Sequence, residues 1–132
     1  MLLARSRSIV VVVGLLFGAS SASSENKCAN PDSQATATEC SCLAYSAEDK
    51  KLNASYKLAM SRLTASERVN LRDSQRVWLK NLEPSCKEPL GSPELAGSMW
   101  RMELCDCLAV ESKKRAALLR SWTGQESGSK SK

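Results

Sequence analysis

The fold is decided by residues 49–82, which read DKKLNASYKLAMSRLTASERVNLRDSQRVWLKNL. Two stripes with the helical spacing of four, three and four residues follow each other here: Leu52, Tyr56, Ala59 and Leu63, then Leu71, Gln75, Trp78 and Leu82. Between them, Thr64-Ala-Ser-Glu67 has the pattern of a capping box, in which the Thr64 hydroxyl accepts from a free backbone N–H and Glu67 reaches back. One helix therefore ends near Thr64 and a second begins there. So short a link predicts an antiparallel helical hairpin.

The flanking sequence predicts one more helix. Residues 34–63 contain neither Pro nor Gly and favour helix, whereas Pro84 is expected to end the second helix. Residues 83–95 hold three prolines and a glycine, so we predict a loop there. Ser98 is the expected N-cap of a third helix over about residues 99–122. Outside the N-terminal apolar run, nothing alternates with a period of two, which indicates an all-α fold.

The N-terminus has the pattern of a secretory signal. Arg5 and Arg7 precede an apolar run from Ile9 to Phe17, and small residues follow it. The run is about half of the ~20 residues that span a bilayer, which favours a cleaved signal over a permanent anchor. We therefore predict a signal peptide (1–22), an N-terminal arm (23–33), a helical domain (34–122) and a flexible tail (123–132). The expected location is periplasmic or secreted, with no membrane contact after signal removal.

Charge and composition argue against several functional classes. The net charge is +5, but residues 25–122 carry 15 Lys and Arg against 13 Asp and Glu, a net of only +2, so most of the excess lies at the chain ends. That balance does not indicate a nucleic-acid partner. The chain has no His, which is the commonest general base, and no phosphate loop, dinucleotide motif or metal signature. We expect a binding protein that is not an enzyme and has no cofactor.

Six cysteines lie in the predicted domain and arm: Cys28, Cys40, Cys42, Cys86, Cys105 and Cys107. An even number in a small exported domain indicates disulfides, each worth roughly 2–4 kcal/mol. Residues two apart on a helix point about 200° apart, so Cys40 and Cys42 must reach different partners, as must Cys105 and Cys107. The alternative is a metal thiolate cluster, but zinc sites usually have C-x2–4-C spacing and often use His, and this chain has C-x-C pairs and no His. The prediction is a three-helix, disulfide-stapled bundle with an N-terminal arm.

Two short motifs stand out against this background. They are D-x-x-L-N-x-x-Y from Asp49 to Tyr56 and Q-R-x-W from Gln75 to Trp78, in fixed order with Cys40, Leu63, Leu71, Cys86, Gly97-Ser98, Cys107-Leu108 and Arg115. Together they resemble the LprI-type lysozyme-inhibitor domain family over about residues 28–119. The resemblance implies a periplasmic or secreted helical domain with disulfides, and lysozyme inhibition as its activity.

The chain departs from the family pattern in two places. Family members usually carry an Arg-Asp pair between Trp78 and the next Cys, where this chain has Leu82 and Glu83. Any role of that pair is therefore in doubt here. Cys42 and Cys105 are additions to the usual four cysteines, and two additions in one chain imply a Cys42–Cys105 bridge between the first and third helices. The pairing among the other four stays open.

Polar side chains flank or interrupt the apolar stripes. Asp49 and Asn53 lie one turn apart on the first helix, Gln75 and Arg76 lie on the second, and Arg115 lies on the third. An unpaired buried polar group costs about 1–3 kcal/mol, so any that are buried must be paired. We predict a hydrogen-bonded network that fixes the helix register. The alternative is a pocket for a small anion held by Arg76 and Arg115.

Acidic residues after the second helix form the candidate partner surface. Glu83, Glu88 and Glu94 face only Lys87 as a cation. Lysozymes are usually basic proteins, and complementary charge speeds encounter and orients the partner. We predict that the three glutamates contact a lysozyme or another envelope or secreted protein.

Two other functions stay open at this point. A non-inhibitory structural or stress-linked envelope protein would use the polar network only to stabilise the bundle. A secreted effector or membrane-binding module would use the basic amphipathic segment 113–122. Lys and Arg are, however, also favoured in the last turns of a core helix by the helix dipole.

Overall fold

The structure, a computed structural model, describes residues 27–122. Its elements after the arm are α1 (Gln34–Arg62), α2 (Ala65–Lys87), a 3-10 turn (Glu88–Leu90), the short α3 (Pro93–Ala96), a second 3-10 turn (Gly97–Met99) and α4 (Trp100–Arg120). No strand occurs in this part of the chain, so the predicted all-α fold is confirmed. The predicted signal peptide and tail lie outside the described residues.

The start of α1 is capped by Ser33. Its Oγ accepts a hydrogen bond from the backbone N–H of Thr36 at 3.2 Å, which satisfies one of the free donors of the first turn. The Thr36 hydroxyl donates to Asp32 at 2.7 Å. This hydrogen bond is the main reason that the pKa of Asp32 lies below its usual value. The cap therefore orders the end of the arm as well as the helix.

The link between α1 and α2 is the predicted capping box. The backbone N–H of Thr64 donates to Glu67 Oε2 at 2.8 Å, and the backbone N–H of Glu67 donates to Thr64 Oγ1 at 3.4 Å. The Thr64 hydroxyl also donates to Glu67 Oε2, and the hydrogen bonds that the Thr64 backbone N–H and hydroxyl donate to this carboxylate hold the pKa of Glu67 below its usual value. Arg68 donates back to the carbonyl of Met60 at 2.9 Å, which ties the two helix ends together.

The closest helix packing is between α1 and α4, which run parallel. Gln34 donates to Met102 Sδ near the two N-terminal ends, and Cys42 is bonded to Cys105 further along both helices. Several buried residues of these helices are small, namely Ser55 and Ala59 on α1 and Ser112 and Ala116 on α4. Small side chains allow the helix axes to approach each other.

The core consists of two clusters that meet at Trp78. The larger cluster joins all three long helices and contains Leu52, Ala59, Leu63, Leu71, Ala116 and Leu119. The smaller contains Leu82, Cys86 and Leu108. Trp78 packs against both. Burying one leucine contributes roughly 1.5–3 kcal/mol, so these clusters provide most of the apolar stabilisation of a small bundle.

Three disulfides connect the elements in the way that the C-x-C geometry requires. Cys28 is bonded to Cys40, Cys42 to Cys105, and Cys86 to Cys107. The two cysteines of each C-x-C pair thus reach different partners. The Cys42–Cys105 bond is the bridge that the resemblance implied. No free cysteine is left, so the thiolate-cluster alternative is wrong.

Two predicted boundaries are wrong. Pro84 does not end α2, which continues to Lys87. A proline in the last turn removes few helical hydrogen bonds, and the buried Cys86, bonded to Cys107, holds that turn in place. Ser98 is not the N-cap of the last helix, because it lies in a 3-10 turn and Met99 occupies the cap position without a side-chain hydrogen bond.

Candidate functional site

A groove of about 220 Å³ lies between α1 and α2. Its lining residues are Asp49, Leu52, Asn53 and Tyr56 from α1 and Arg72, Gln75, Arg76 and Leu79 from α2. On each helix they are three or four residues apart, so each set shares one face. Leu52 belongs to the larger core cluster and Tyr56 packs against it, which gives the groove a fixed apolar floor. The polar residues form its two rims.

The α1 rim offers hydrogen-bond acceptors. Asn53 Nδ2 donates both to the backbone carbonyl of Asp49, at 2.9 Å, and to its carboxylate, at 3.1 Å. Because both partners only accept, the amide nitrogen must face them, and Asn53 Oδ1 is left as an acceptor. Burial raises the pKa of the nearby Tyr45 hydroxyl, and the charges of Asp49 and Glu83 add to this effect.

The α2 rim offers donors. Arg115 Nε on α4 donates to Gln75 Oε1 at 2.9 Å. A guanidinium only donates, so the Gln75 oxygen must face it, and the Gln75 amide nitrogen is left as a donor. Arg76 is mostly exposed and forms a 3.6 Å ion pair with Asp73. Within residues 27–122 Arg72 forms neither an ion pair nor a side-chain hydrogen bond.

Arg115 lies outside the groove, between two tryptophans. Its guanidinium carbon is 5.8 Å from the centre of the Trp78 ring and 5.7 Å from that of Trp122. Arg115 Nη2 donates to Ser74 Oγ at 2.9 Å. This arrangement suits Arg because its planar fork can donate to two acceptors while its faces stack on rings. Arg115 therefore joins α2 to α4 and fixes the orientation of Gln75.

The polar residues do not form the single network that the sequence predicted. Asp49 and Asn53 pair within α1, while Gln75 pairs with Arg115 across α2 and α4. An anion pocket built from Arg76 and Arg115 together is also wrong, because Arg115 lines a different cavity. Gln75 lines the groove, and its side-chain oxygen accepts a hydrogen bond from Arg115, which lines the other cavity.

The three predicted partner-binding glutamates lie at and after the end of α2. Glu83 is within α2 and pairs with Lys87, so the prediction of a loop at this residue is wrong. Glu88 begins the first 3-10 turn and Glu94 lies in α3, and all three are exposed. Hydrogen bonds from its own backbone and from the Ser92 hydroxyl hold the pKa of Glu94 below its usual value.

Residues 88–99, here called the connecting segment, join α2 to α4 and are mostly exposed. Leu95 in α3 is 88% exposed, the highest value among the exposed large apolar side chains of residues 27–122. Trp100 Nε1 donates to the carbonyl of Gly91 at 3.0 Å, and Lys87 Nζ lies 6.0 Å from the centre of the Trp100 ring. The segment is also enclosed by the Cys86–Cys107 disulfide. These contacts hold it against the ends of α2 and α4.

Sequence reasoning missed Arg72, Ser74 and Leu95. Arg72 is four residues before Arg76, so helical spacing alone was a signal that both face the same groove. Ser74 carried no signal, because its contact with Arg115 depends on the register between α2 and α4. Leu95 stood in a segment predicted as a polar loop.

The basic segment 113–122 is part of the core helix. Its residues Ala116 and Leu119 are buried in the larger cluster and are not available to a membrane surface. In residues 27–122 no helix combines the length and apolarity needed to cross a bilayer. In the same residues no group of three or more His, Cys, Asp or Glu is placed to hold a metal ion.

These observations define a small all-helical domain stapled by three disulfides, with a polar groove and an exposed connecting segment. The sequence profile of the family described as "Lysozyme inhibitor LprI" matches residues 24–119. The chain belongs to this family. No curated protein matches the chain. No solved structure matches it either.

Proposed function

We propose that this protein is an exported lysozyme inhibitor and not an enzyme. The observation that carries the proposal is the match to the lysozyme-inhibitor family over residues 24–119. Its three disulfides support export, because such bonds form and persist in oxidising compartments. We therefore also propose that the protein is periplasmic or secreted.

The connecting segment is the surface that we propose contacts the lysozyme. It carries Glu88 and Glu94 and no Lys or Arg, so its charge is opposite to that of a basic partner. Leu95 adds an exposed apolar side chain to this surface. Glu83 extends the acidic surface onto α2, although its pairing with Lys87 weakens its contribution.

Physical occlusion is the mechanism that this surface supports. Lysozyme hydrolyses its glycan between two carboxyl groups in a cleft. An inhibitor that covers the cleft excludes the glycan without any chemistry of its own. The hydrogen bond from Trp100 to Gly91 holds the connecting segment in one conformation. A segment that is ordered before binding loses less conformational entropy on association.

A lysozyme activity assay with the purified, oxidised protein tests the proposal. We expect inhibition that is lost on reduction, because the Cys86–Cys107 bond closes the connecting segment. Leu95→Ala and the double variant Glu88→Gln with Glu94→Gln are each expected to weaken inhibition about tenfold, which corresponds to about 1.4 kcal/mol.

Matched controls separate contact from general damage. Glu103→Gln removes an exposed acid on α4, and Val77→Ala removes a 61% exposed apolar side chain on α2. Both are expected to inhibit like the wild type. Absence of inhibition at high molar excess, against lysozymes of more than one type, would contradict the proposed function while leaving the fold unchanged.

A further inference from the structure

The groove between α1 and α2 has complementary rims that do not pair with each other. Asp49 and Asn53 supply acceptors on the α1 side, while Arg72, Arg76 and Gln75 supply donors on the α2 side. Yet in the described part of the chain no guanidinium nitrogen of either arginine comes within 4.0 Å of the Asp49 carboxylate. The negative Asp49 and the positive Arg72 and Arg76 thus line the same groove without forming an ion pair across it.

The two arginines are an unfavourable pair by themselves. Arg72 and Arg76 are four residues apart on α2, and like charges at this spacing destabilise a helix. Asp73 compensates only Arg76, at 3.6 Å and at high exposure. An anionic group bound between the two guanidinium groups would relieve this repulsion and would accept hydrogen bonds from both.

The α1 rim suits a cationic group, in contrast to the α2 rim. The Asp49 carboxylate and Asn53 Oδ1 both accept, so they suit a group that is cationic and donates several hydrogen bonds, as an ammonium does. The orientation of each amide is set within the protein, because Asn53 Nδ2 is taken by Asp49 and Gln75 Oε1 by Arg115. The polarity of the two rims is therefore built in before any ligand binds.

The size of the groove limits the ligand. Its volume of about 220 Å³ is below the ~300–1,000 Å³ of sites for drug-sized molecules. Leu52 and Tyr56 form the apolar floor below the two rims, which suits a short aliphatic side chain. A molecule of this size that carries an ammonium and a carboxylate side by side, with a short aliphatic side chain, is a small α-amino acid.

We propose that the groove between α1 and α2 binds a small zwitterionic α-amino acid. Its carboxylate lies between Arg72 and Arg76 beside the Gln75 amide, and its ammonium group lies on Asp49 and Asn53. None of its lining residues belongs to the connecting segment, so this site does not rest on the proposed lysozyme inhibition.

Titration of the isotope-labelled, oxidised protein with L-alanine, followed by amide NMR shifts, tests this site. Contacts at exposed charges are individually weak, so we expect millimolar affinity and shifts confined to the groove faces of α1 and α2. N-acetyl-L-alanine lacks the ammonium group and L-alaninamide lacks the carboxylate. Each is expected to bind about tenfold more weakly than L-alanine, because each loses one set of charge-assisted hydrogen bonds.

Variants test the two rims separately. Asp49→Asn and Arg72→Gln are each expected to lower the affinity for L-alanine about tenfold, because each removes one charged contact. The matched controls are Asp106→Asn and Arg120→Gln, two exposed positions of α4 outside the groove, which are expected to leave it unchanged.

Three outcomes would overturn the proposal. The first is the absence of shifts at the groove with L-alanine at tens of millimolar. The second is equal binding of N-acetyl-L-alanine, which would make the groove an anion site only. The third is equal binding of L-alaninamide, which would make it a cation site only.

Discussion

Removing the Cys42–Cys105 disulfide is expected to destabilise the protein more than removing any other. The bond closes a loop of 63 residues, whereas Cys86–Cys107 closes 21 and Cys28–Cys40 closes 12. In the chain-entropy treatment these loops correspond to about 4, about 3 and about 3 kcal/mol. The overlap of the first two loops lowers the largest value by only a few tenths of a kcal/mol, because the dependence on length is logarithmic.

Paired alanine variants make this order measurable. In Cys42→Ala with Cys105→Ala, a loss of about 4 kcal/mol is a large part of the ~5–15 kcal/mol that stabilises a domain. It corresponds to a fall in Tm of roughly 15–30 °C for a bundle of this size. Thermal and urea unfolding followed by circular dichroism would give the order of the three double variants.

The result that would refute this reasoning is a Cys42–Cys105 variant as stable as the wild type, or one more stable than the Cys86–Cys107 variant. Either would mean that residues 42 and 105 are already kept close to each other in the unfolded chain, so that the disulfide restricts it little. Reduction of the wild-type protein provides the lower limit of stability against which the three variants are compared.

Three further predictions concern single side chains. Arg115→Lys keeps the charge but removes the planar guanidinium that donates to both Gln75 and Ser74. Urea unfolding is expected to show a free energy of unfolding lower by about 2 kcal/mol. A decrease below about 0.5 kcal/mol would contradict the role of these two hydrogen bonds. Ser112 is fully buried, and its Oγ has no hydrogen-bond partner in residues 27–122. Ser112→Ala is therefore expected to raise the free energy of unfolding by up to about 1 kcal/mol in the same urea experiment. A clear decrease would contradict this prediction and would indicate an unrecognised partner of the hydroxyl. The pKa of Glu67 is lowered in the folded protein, so its contribution is complete above the unfolded pKa of about 4.3 and is lost as the pH falls through the folded value. In Glu67→Gln the side chain can still cap the helix but does not titrate. Between pH 6 and pH 3 the Tm of this variant is therefore expected to fall less than the Tm of the wild type. An equal fall in Tm for both proteins would contradict the prediction.

The local parts of the fold were predictable because they depend on neighbours in sequence. The Thr64–Glu67 capping box and the start of α1 after Ser33 follow from hydrogen bonds that close within three residues. The different partners of Cys105 and Cys107 followed from helical geometry alone. Pro84 was misjudged because its cost in the last turn is offset by burial and by the Cys86–Cys107 bond, which are not local.

The candidate site was only partly predictable. Helical spacing identified Asp49, Asn53, Gln75 and Arg76, and all four line the groove. Spacing did not show that Arg115 would contact the far side of Gln75. That contact depends on the register of α4 against α2, which is set by the summed packing of both core clusters.

The sequence alone thus determined the helical class, the α1–α2 turn and the residues that face each helix surface, because these are set by interactions within one or two turns. The parallel packing of α4 on α1, the partners of Cys28, Cys40, Cys86 and Cys107, and the division of the groove into a donor rim and an acceptor rim were decided only by the tertiary structure. They depend on the angles and registers between helices. Many small packing contributions determine these together, and no single stretch of sequence contains them.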